Sequence, residues 1–206
     1  MFDKYEDNII ITVPKFGLLK NSEGKLRKKN NEPYLLAISI DSHDEGKPDL
    51  KFNLRPFYKT RPGDVIDIGG VGFIAYGPKN PGEYVLLSII ACECDQAVRQ
   101  EAEFLKMIEE DNDIQKIAKD LLPGALPVGG AIKMFQELVG VVAKIREKNG
   151  DDKLMTFEGT FLRDTETPYN INKRYVRENR YVSMQVDVLP LLGGPESERS
   201  SQPADH

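Results

Sequence analysis

The stretch Glu83-Tyr-Val-Leu-Leu-Ser-Ile-Ile-Ala-Cys-Glu-Cys94 decides the fold of this chain. It is the most apolar run of the sequence, which favours a buried strand. The periodicity changes directly after it, because apolar residues then recur at helical spacing among charged ones, at Val98, Ala102, Leu105 and Ile108. We therefore predict a run of strands that is interrupted by a helical insertion at about 96–148.

The insertion is predicted to contain three helices. Asn112 or Asp113 can cap the second one, and the third extends from about Ala131 to Lys148. Between these two lies the apolar stretch 121–132, which is interrupted by proline and glycine. The apolar stripe of the third helix predicts packing on the strands. The alternative is that the stretch 121–132 lies on a membrane interface or between partner subunits.

Strand patterns lie on both sides of the insertion. Leu50, Phe52 and Leu54 alternate with polar residues before it, and 181–189 shows the clearest alternation after it. Glycines at 69–72 indicate a bulge or a break between two short strands. The predicted fold is mainly β: a two-sheet antiparallel β-sandwich, C2-like or immunoglobulin-like in general architecture. Residues 1–192 are predicted to form one domain, and the polar tail 193–206 is predicted to be disordered.

Composition and charge make some classes of protein less favoured. The chain has 206 residues and a formal net charge of -5, which argues against a dedicated nucleic-acid binder. The first residues are charged and lack the apolar stretch of a secretory signal. No window holds the run of uncharged apolar residues that a spanning helix needs. These features, with only two cysteines, predict a cytoplasmic protein, although signal-independent export would leave no mark on the sequence.

The loop 41–49 is a candidate metal site. Its carboxylates could offer oxygen ligands to Ca²⁺, and they are Asp41, Asp44, Glu45 and Asp49. A sandwich with an acidic loop at one tip is similar to the C2 modules, and this resemblance implies a calcium site in the loop. The alternative is a solvated turn. His43 is the one histidine before the C-terminal residue, so a zinc site with several histidines is not available.

Cys92 and Cys94 are the second candidate for metal binding. Two thiolates could hold a soft metal, but no second Cys or His pair is present in the sequence to complete the site. Cysteines in an apolar strand are more often small core residues. The sequence therefore predicts no cofactor, with Ca²⁺ as the one ion that the acidic loop could bind.

Two basic clusters are candidate contact surfaces. The first contains Lys20, Lys25, Arg27, Lys28 and Lys29, and the second contains Lys173, Arg174, Arg177 and Arg180. Tyrosines accompany the second cluster, and such a mixture can contact phosphates or an acidic surface. The alternative is a solvated charged face. If the clusters converge in space, an anionic membrane surface becomes a suitable partner.

Three functions remain open from the sequence. The leading one is a non-catalytic binding or assembly module, as a homo-oligomer or a subunit of a larger complex. The second is a peripheral membrane-binding or toxin-like effector, calcium-dependent if the acidic loop binds Ca²⁺. It would use the basic clusters with an apolar set made of Leu121, Leu122, Leu126 and Val128. The third is an enzyme in which Asp41, Asp44 and Glu45 line a pocket.

Overall fold

The computed structural model describes residues 2–20, 32–42, 49–93, 101–121 and 127–191, with the side chains of residues 101 and 102 excepted. Nine strands form within these ranges: β1 (Asn8–Leu18), β2 (Pro33–Asp41), β3 (Asp49–Pro56), β4 (Val65–Asp67), β5 (Phe73–Lys79), β6 (Tyr84–Glu93), β7 (Asp152–Leu162), β8 (Arg174–Glu178) and β9 (Val182–Leu191). The helices are α1 (Glu101–Glu109), α2 (Asn112–Leu121) and α3 (Val128–Lys148), with a short 3-10 turn at Pro168–Asn170.

The strands form two antiparallel sheets. The first sheet has the order β4-β1-β9-β8, with β5 also paired to β1. The second sheet has the order β3-β2-β6-β7. These pairings confirm the predicted two-sheet antiparallel sandwich in its general architecture. They do not confirm an immunoglobulin-like strand order.

The second sheet lies between two cores, and this explains its apolar sequence. β2 and β6 are buried at every position. One face of these strands, which carries Leu35 and Leu87, packs against the first sheet. The other face, which carries Leu36 and Leu86, packs with the helices. A strand that is buried on both faces reads as a continuous apolar run instead of an alternation.

The three helices form a third layer over the second sheet. The buried face of α3 contains Ala131, Phe135, Leu138, Val142 and Ile145, and it belongs to the same core as β2 and β6. The predicted packing of this helix on the sandwich is therefore confirmed. None of the described helices is long and apolar enough to cross a membrane.

Two strands differ from the sequence-based expectation. The glycine-rich stretch does separate two short strands, β4 and β5, as predicted. However, β5 continues through Gly77 to Lys79, where the sequence indicates a turn, because Lys79 pairs with Ile9 of β1. β8 was not predicted at all, since most of its residues are charged or exposed. The predicted tail 193–206 and the first residues of the predicted insertion lie outside the described ranges.

The sandwich has two ends, which we name after a residue at each. At the Lys20 end β1 finishes and β9 begins. At the Asp41 end β2 finishes and β3 begins. α3 starts near the Asp41 end, where Ile132 borders a cavity with Leu86 and Thr160. It finishes at the Lys20 end, where β7 begins opposite Glu93. A helix of 21 residues spans about 30 Å, so it covers the length of the sandwich.

Candidate functional site

A buried ionic cluster lies at the Asp41 end, where β2, β3 and β5 meet. The Asp41 carboxylate is fully buried, and its Oδ2 accepts a hydrogen bond from the Tyr76 hydroxyl at 2.7 Å. The Lys79 ammonium is in contact with the same oxygen. Lys79 Nζ also lies 2.6 Å from Asp49 Oδ2, and Lys51 Nζ lies 3.1 Å from that atom. One lysine thus links the first sheet to both ends of the 41–49 loop.

The two carboxylates of this cluster have different proton affinities. Burial raises the pKa of Asp41 above its ordinary value, although the hydrogen bonds from Lys79 and Tyr76 oppose this rise. Partial burial also acts to raise the pKa of Asp49, but the hydrogen bonds from Lys79 and Lys51 outweigh it and the pKa is lowered. Burial, followed by the negative charge of Asp41, raises the pKa of Tyr76. Lys79 therefore acts to lower the pKa of both carboxyl groups, which favours their charged forms.

The structure brings two of the four predicted calcium ligands together. Asp41 and Asp49 share Lys79, whose ammonium occupies the position between them that a bound cation would take. Asp41 Oδ1 has no hydrogen-bond partner among the described residues. The described ranges contain no group of three or more His, Cys, Asp or Glu side chains that could hold a metal. Asp44, Glu45 and His43 lie outside those ranges, so a calcium site in the loop stays a prediction.

A second buried polar network lies at the Lys20 end, beneath the end of α3. The Tyr34 hydroxyl donates to Asp151 Oδ2 at 2.7 Å, and Arg146 Nη1 donates to the Asp151 carbonyl at 2.7 Å. Asn149 Nδ2 reaches the same carboxylate at 3.4 Å. These bonds join β2 to the turn between α3 and β7. The network holds the helical layer on the sandwich at the point where the chain returns from it.

Cys92 belongs to this buried region and not to an exposed metal site. Its side chain is fully buried, and burial raises the pKa of the thiol to about 12, against the opposing effects of Arg146 and Tyr34. A thiol with such a pKa is protonated at neutral pH, whereas a metal ligand must be a thiolate. Cys94, the other predicted ligand, lies outside the described residues.

The apolar contact set is only partly described, and what is described belongs to the core. Leu121 is buried in the core under the helices, and Val128 packs against that core while partly exposed. Leu122 and Leu126 lie outside the described ranges. Because α3 begins at the Asp41 end, Val128 lies about one helix length away from Lys20. The structure therefore does not bring this apolar set together with the described start of the first basic cluster.

Lys20, the described start of the first basic cluster, lies near the end of the second cluster. The backbone N–H groups of Leu19 and Lys20 donate to the Tyr181 carbonyl, at 2.6 and 3.1 Å. Arg180 directly precedes Tyr181, and its guanidinium lies 4.5 Å from the centre of the Tyr181 ring. The backbone at the described start of the first cluster is thus bonded to Tyr181, the residue that directly follows the end of the second. The rest of the first cluster lies outside the described ranges, at Lys25, Arg27, Lys28 and Lys29.

Further along β8 the second cluster is engaged with its neighbours. Arg174 makes two hydrogen bonds of 2.9 Å to the carboxylate of Asp187. Lys173 lies over the Tyr175 ring, and Arg177 lies 6.0 Å from the centre of the Phe157 ring. These three cations remain exposed to solvent. They form an exposed basic edge and do not line a closed pocket in the described part of the chain.

The turn between β3 and β4 adds residues that the sequence did not single out. This turn reaches the Lys20 end, because Gly63 N donates to the Leu18 carbonyl at 2.7 Å. It carries exposed Lys59 and Arg61 together with Tyr58, which is 59% exposed. Val65, at the start of β4, is 65% exposed. Arg61-Pro-Gly-Asp64 is a turn motif in the sequence, but a turn motif gives no indication of where the turn lies in the folded chain.

No protein-family model, curated protein or solved structure gives a significant match to this chain. The Lys20 end combines the exposed apolar residues Leu19, Tyr58 and Val65 with the exposed cations Lys20, Lys59, Arg61 and Arg180.

Proposed function

We propose that the protein is a non-catalytic binding module that docks on an anionic membrane surface through the Lys20 end of its sandwich. The observation that carries this proposal is the position of Lys20 near the end of the second basic cluster, fixed by the backbone hydrogen bonds of Leu19 and Lys20 to the Tyr181 carbonyl, which directly follows Arg180. Exposed cations that lie on one end of a protein attract negatively charged groups to that end. A negatively charged surface is the complement of such an end.

The exposed apolar residues favour a lipid surface over an acidic protein. Leu19, Tyr58 and Val65 are exposed, and Lys20 and Lys59 directly follow the first two of them in the chain. At a bilayer interface, aromatic and aliphatic groups enter the headgroup region while lysine and arginine stay with the phosphates. Each cation near an anionic membrane contributes about 1 kcal/mol, so several are needed for stable attachment. The buried clusters at Asp41 and Asp151 are compatible with a binding module, since their side chains bond to one another.

Vesicle co-sedimentation tests the proposal. The wild-type chain should sediment with vesicles of phosphatidylcholine and phosphatidylserine, and much less with phosphatidylcholine alone. Binding should weaken as salt is added, because the attraction is screened. A Lys20→Ala/Arg180→Ala chain loses about 2 kcal/mol of binding free energy, or roughly 30-fold in affinity.

A matched variant controls for the loss of net charge. Lys119→Ala/Lys133→Ala removes two exposed lysines from α2 and α3, so it should bind almost as the wild type does. Equal binding of the wild-type chain to neutral and anionic vesicles, or equal losses in the two variants, would contradict the proposal. Repeating the assay with Ca²⁺ and with a chelator also tests whether the acidic loop makes binding calcium-dependent.

A further inference from the structure

The free edge of β8 has properties that the membrane proposal does not use. β8 lies at the edge of the first sheet and pairs with β9 alone. Its sequence is Arg174-Tyr-Val-Arg-Glu178, and Val176 at its centre is 61% exposed. An edge strand presents N–H and C=O groups to any strand that approaches it. In β8 the Val176 carbonyl accepts a long hydrogen bond of 3.4 Å from Arg177 Nη1, which a pairing strand would replace. An exposed apolar residue in the middle of such an edge is a site for contact with another strand.

β8 is held firmly in place, so its edge has a defined shape. The Tyr175 ring packs edge-on against Phe157 and Phe161 of β7, at 5.6 and 6.3 Å between ring centres. On the other face, Arg174 is bound by both carboxylate oxygens of Asp187. A strand that is fixed on both faces loses little conformational freedom when a second strand pairs with it.

The order of side chains in β8 is complementary to itself. In an antiparallel pair centred on Val176, the two Val176 side chains lie opposite each other. Arg174 then lies opposite Glu178 of the second copy, and Tyr175 lies opposite Arg177. Opposite charges, apolar pairs and cation–aromatic pairs each stabilise neighbouring strands. Among the described residues Glu178 makes no ion pair, so its carboxylate is available for this contact.

Other registers of the same pairing bring like charges together. Centring the pair on Tyr175 places Lys173 opposite Arg177 of the second copy. Centring it on Arg177 places the two Arg177 side chains opposite each other. A shift of the pairing register by a single residue would place Val176 on the same side as the core-facing side chains of the partner sheet. Charged residues on an edge ordinarily oppose pairing with another chain, but here their order favours one antiparallel register.

We propose that two copies of this chain associate through antiparallel pairing of their β8 strands, with a two-fold axis at Val176. The first sheets of the two copies then form one continuous sheet. The contact is self-complementary, as a two-fold interface must be. This inference does not depend on membrane binding.

Light scattering after size-exclusion chromatography tests the association. The mass of the wild-type chain should rise with concentration from 23.2 kDa towards twice that value. Val176→Lys places two ammonium groups at the axis, so association should weaken roughly tenfold or more. Because Val176 is exposed, circular dichroism should show an unchanged fold. The matched control is Val65→Lys, at an equally exposed residue on another edge strand of the same sheet, and it should associate as the wild type does.

Mixing two charge variants tests the register itself. Val176→Lys and Val176→Glu should each be monomeric, and an equimolar mixture should regain the dimeric mass because opposite charges then meet at the axis. In a Cys94→Ser chain, Val176→Cys should form a disulfide-linked dimer under mild oxidation, whereas Val65→Cys should not. A wild-type mass that stays at 23.2 kDa at every concentration overturns the proposal. The proposal is also overturned if Val176→Lys and Val65→Lys weaken the association equally. It is overturned as well if the mixture of Val176→Lys and Val176→Glu stays monomeric.

Discussion

Replacing Lys79 with methionine isolates the role of the buried ionic cluster at the Asp41 end. Methionine keeps most of the length of the lysine side chain but removes its charge. The lysine side chain is only 19% exposed and the Asp41 side chain is fully buried, so solvent screens their attraction weakly. Removing one member of a buried ion pair costs about 3–5 kcal/mol, because the other charge is left without compensation.

We expect the loss to be near the lower end of that range. The Tyr76 hydroxyl still donates to Asp41 in the variant, and a hydrogen bond of this kind contributes about 1 kcal/mol. Lys51 also remains beside Asp49. The free energy of unfolding should therefore fall by about 3 kcal/mol near neutral pH. Urea denaturation followed by circular dichroism measures it.

The size of the loss should depend on pH, and its direction follows from the pKa shifts. The pKa of Asp41 in the folded chain is raised by burial, so ionisation of Asp41 reduces stability as the pH rises through that pKa. Without Lys79 the pKa rises further, and the reduction at neutral pH becomes larger. Asp49 has a lowered pKa, so its contribution is present above the unfolded-state value of about 3.9 and is lost as the pH falls.

Both effects make the variant most destabilised near neutral pH. As the pH falls towards 4, the Asp41 carboxyl of the variant takes up a proton because its pKa is raised, and the difference from the wild type should shrink to about 1 kcal/mol. An Asp41→Asn/Lys79→Met chain should be more stable than Lys79→Met near neutral pH, since the uncompensated charge is gone. The exposed Lys133→Met change is the control and should cost almost nothing. A loss below about 1 kcal/mol, or one that is equal at both pH values, would refute the reasoning.

Three further changes test the packing and the buried thiol by denaturation and labelling. Gly72→Ala should lower the free energy of unfolding by about 2–3 kcal/mol. Gly72 has a φ of 91°, and an added Cβ would lie 2.6 Å from the Val13 carbonyl oxygen. An unchanged denaturation midpoint would contradict that geometry. Leu138→Ala should lower the free energy of unfolding by about 3 kcal/mol, because this residue of α3 is fully buried. A loss under about 1 kcal/mol would mean that α3 does not pack on the sheet. In a Cys94→Ser chain, Cys92 should resist a thiol reagent in the native state and react fully in urea. The reason is that burial raises the pKa of its thiol to about 12. Rapid labelling of the native chain would show an accessible thiolate and contradict this.

The sequence predicts those helices and strands whose apolar side chains recur at a regular spacing and face one core. β9 is predicted because Val182, Met184 and Val186 all face the core between the sheets while the residues between them do not. α3 is predicted because its apolar residues form one stripe. β8 could not be predicted, because among its five residues only Tyr175 is even partly buried. Its strand conformation comes from pairing with β9, which is a property of the tertiary structure.

The contacts at both ends of the sandwich could be predicted even less. Asp41 and Asp49 are visible in the sequence as parts of an acidic loop, but Lys79 lies on β5 and reaches them only because the two sheets pack together. Lys20 and Arg180 are far apart in the chain, and the pairing of β1 with β9 brings them to one end. Composition identifies charged residues, whereas the neighbours that neutralise or reinforce them depend on strand order.

The two proposals have a geometric consequence when they are taken together. β8 runs towards the Lys20 end, since Arg180 and Tyr181 follow it directly. In an antiparallel pair the two β8 strands run in opposite directions, so the Lys20 ends of the two copies point away from each other. One flat membrane can then contact only one copy of a dimer, and dimerisation does not add avidity for a single surface. The second basic end stays free for another anionic surface, and a dimer of this kind would join two membranes where a monomer attaches to one.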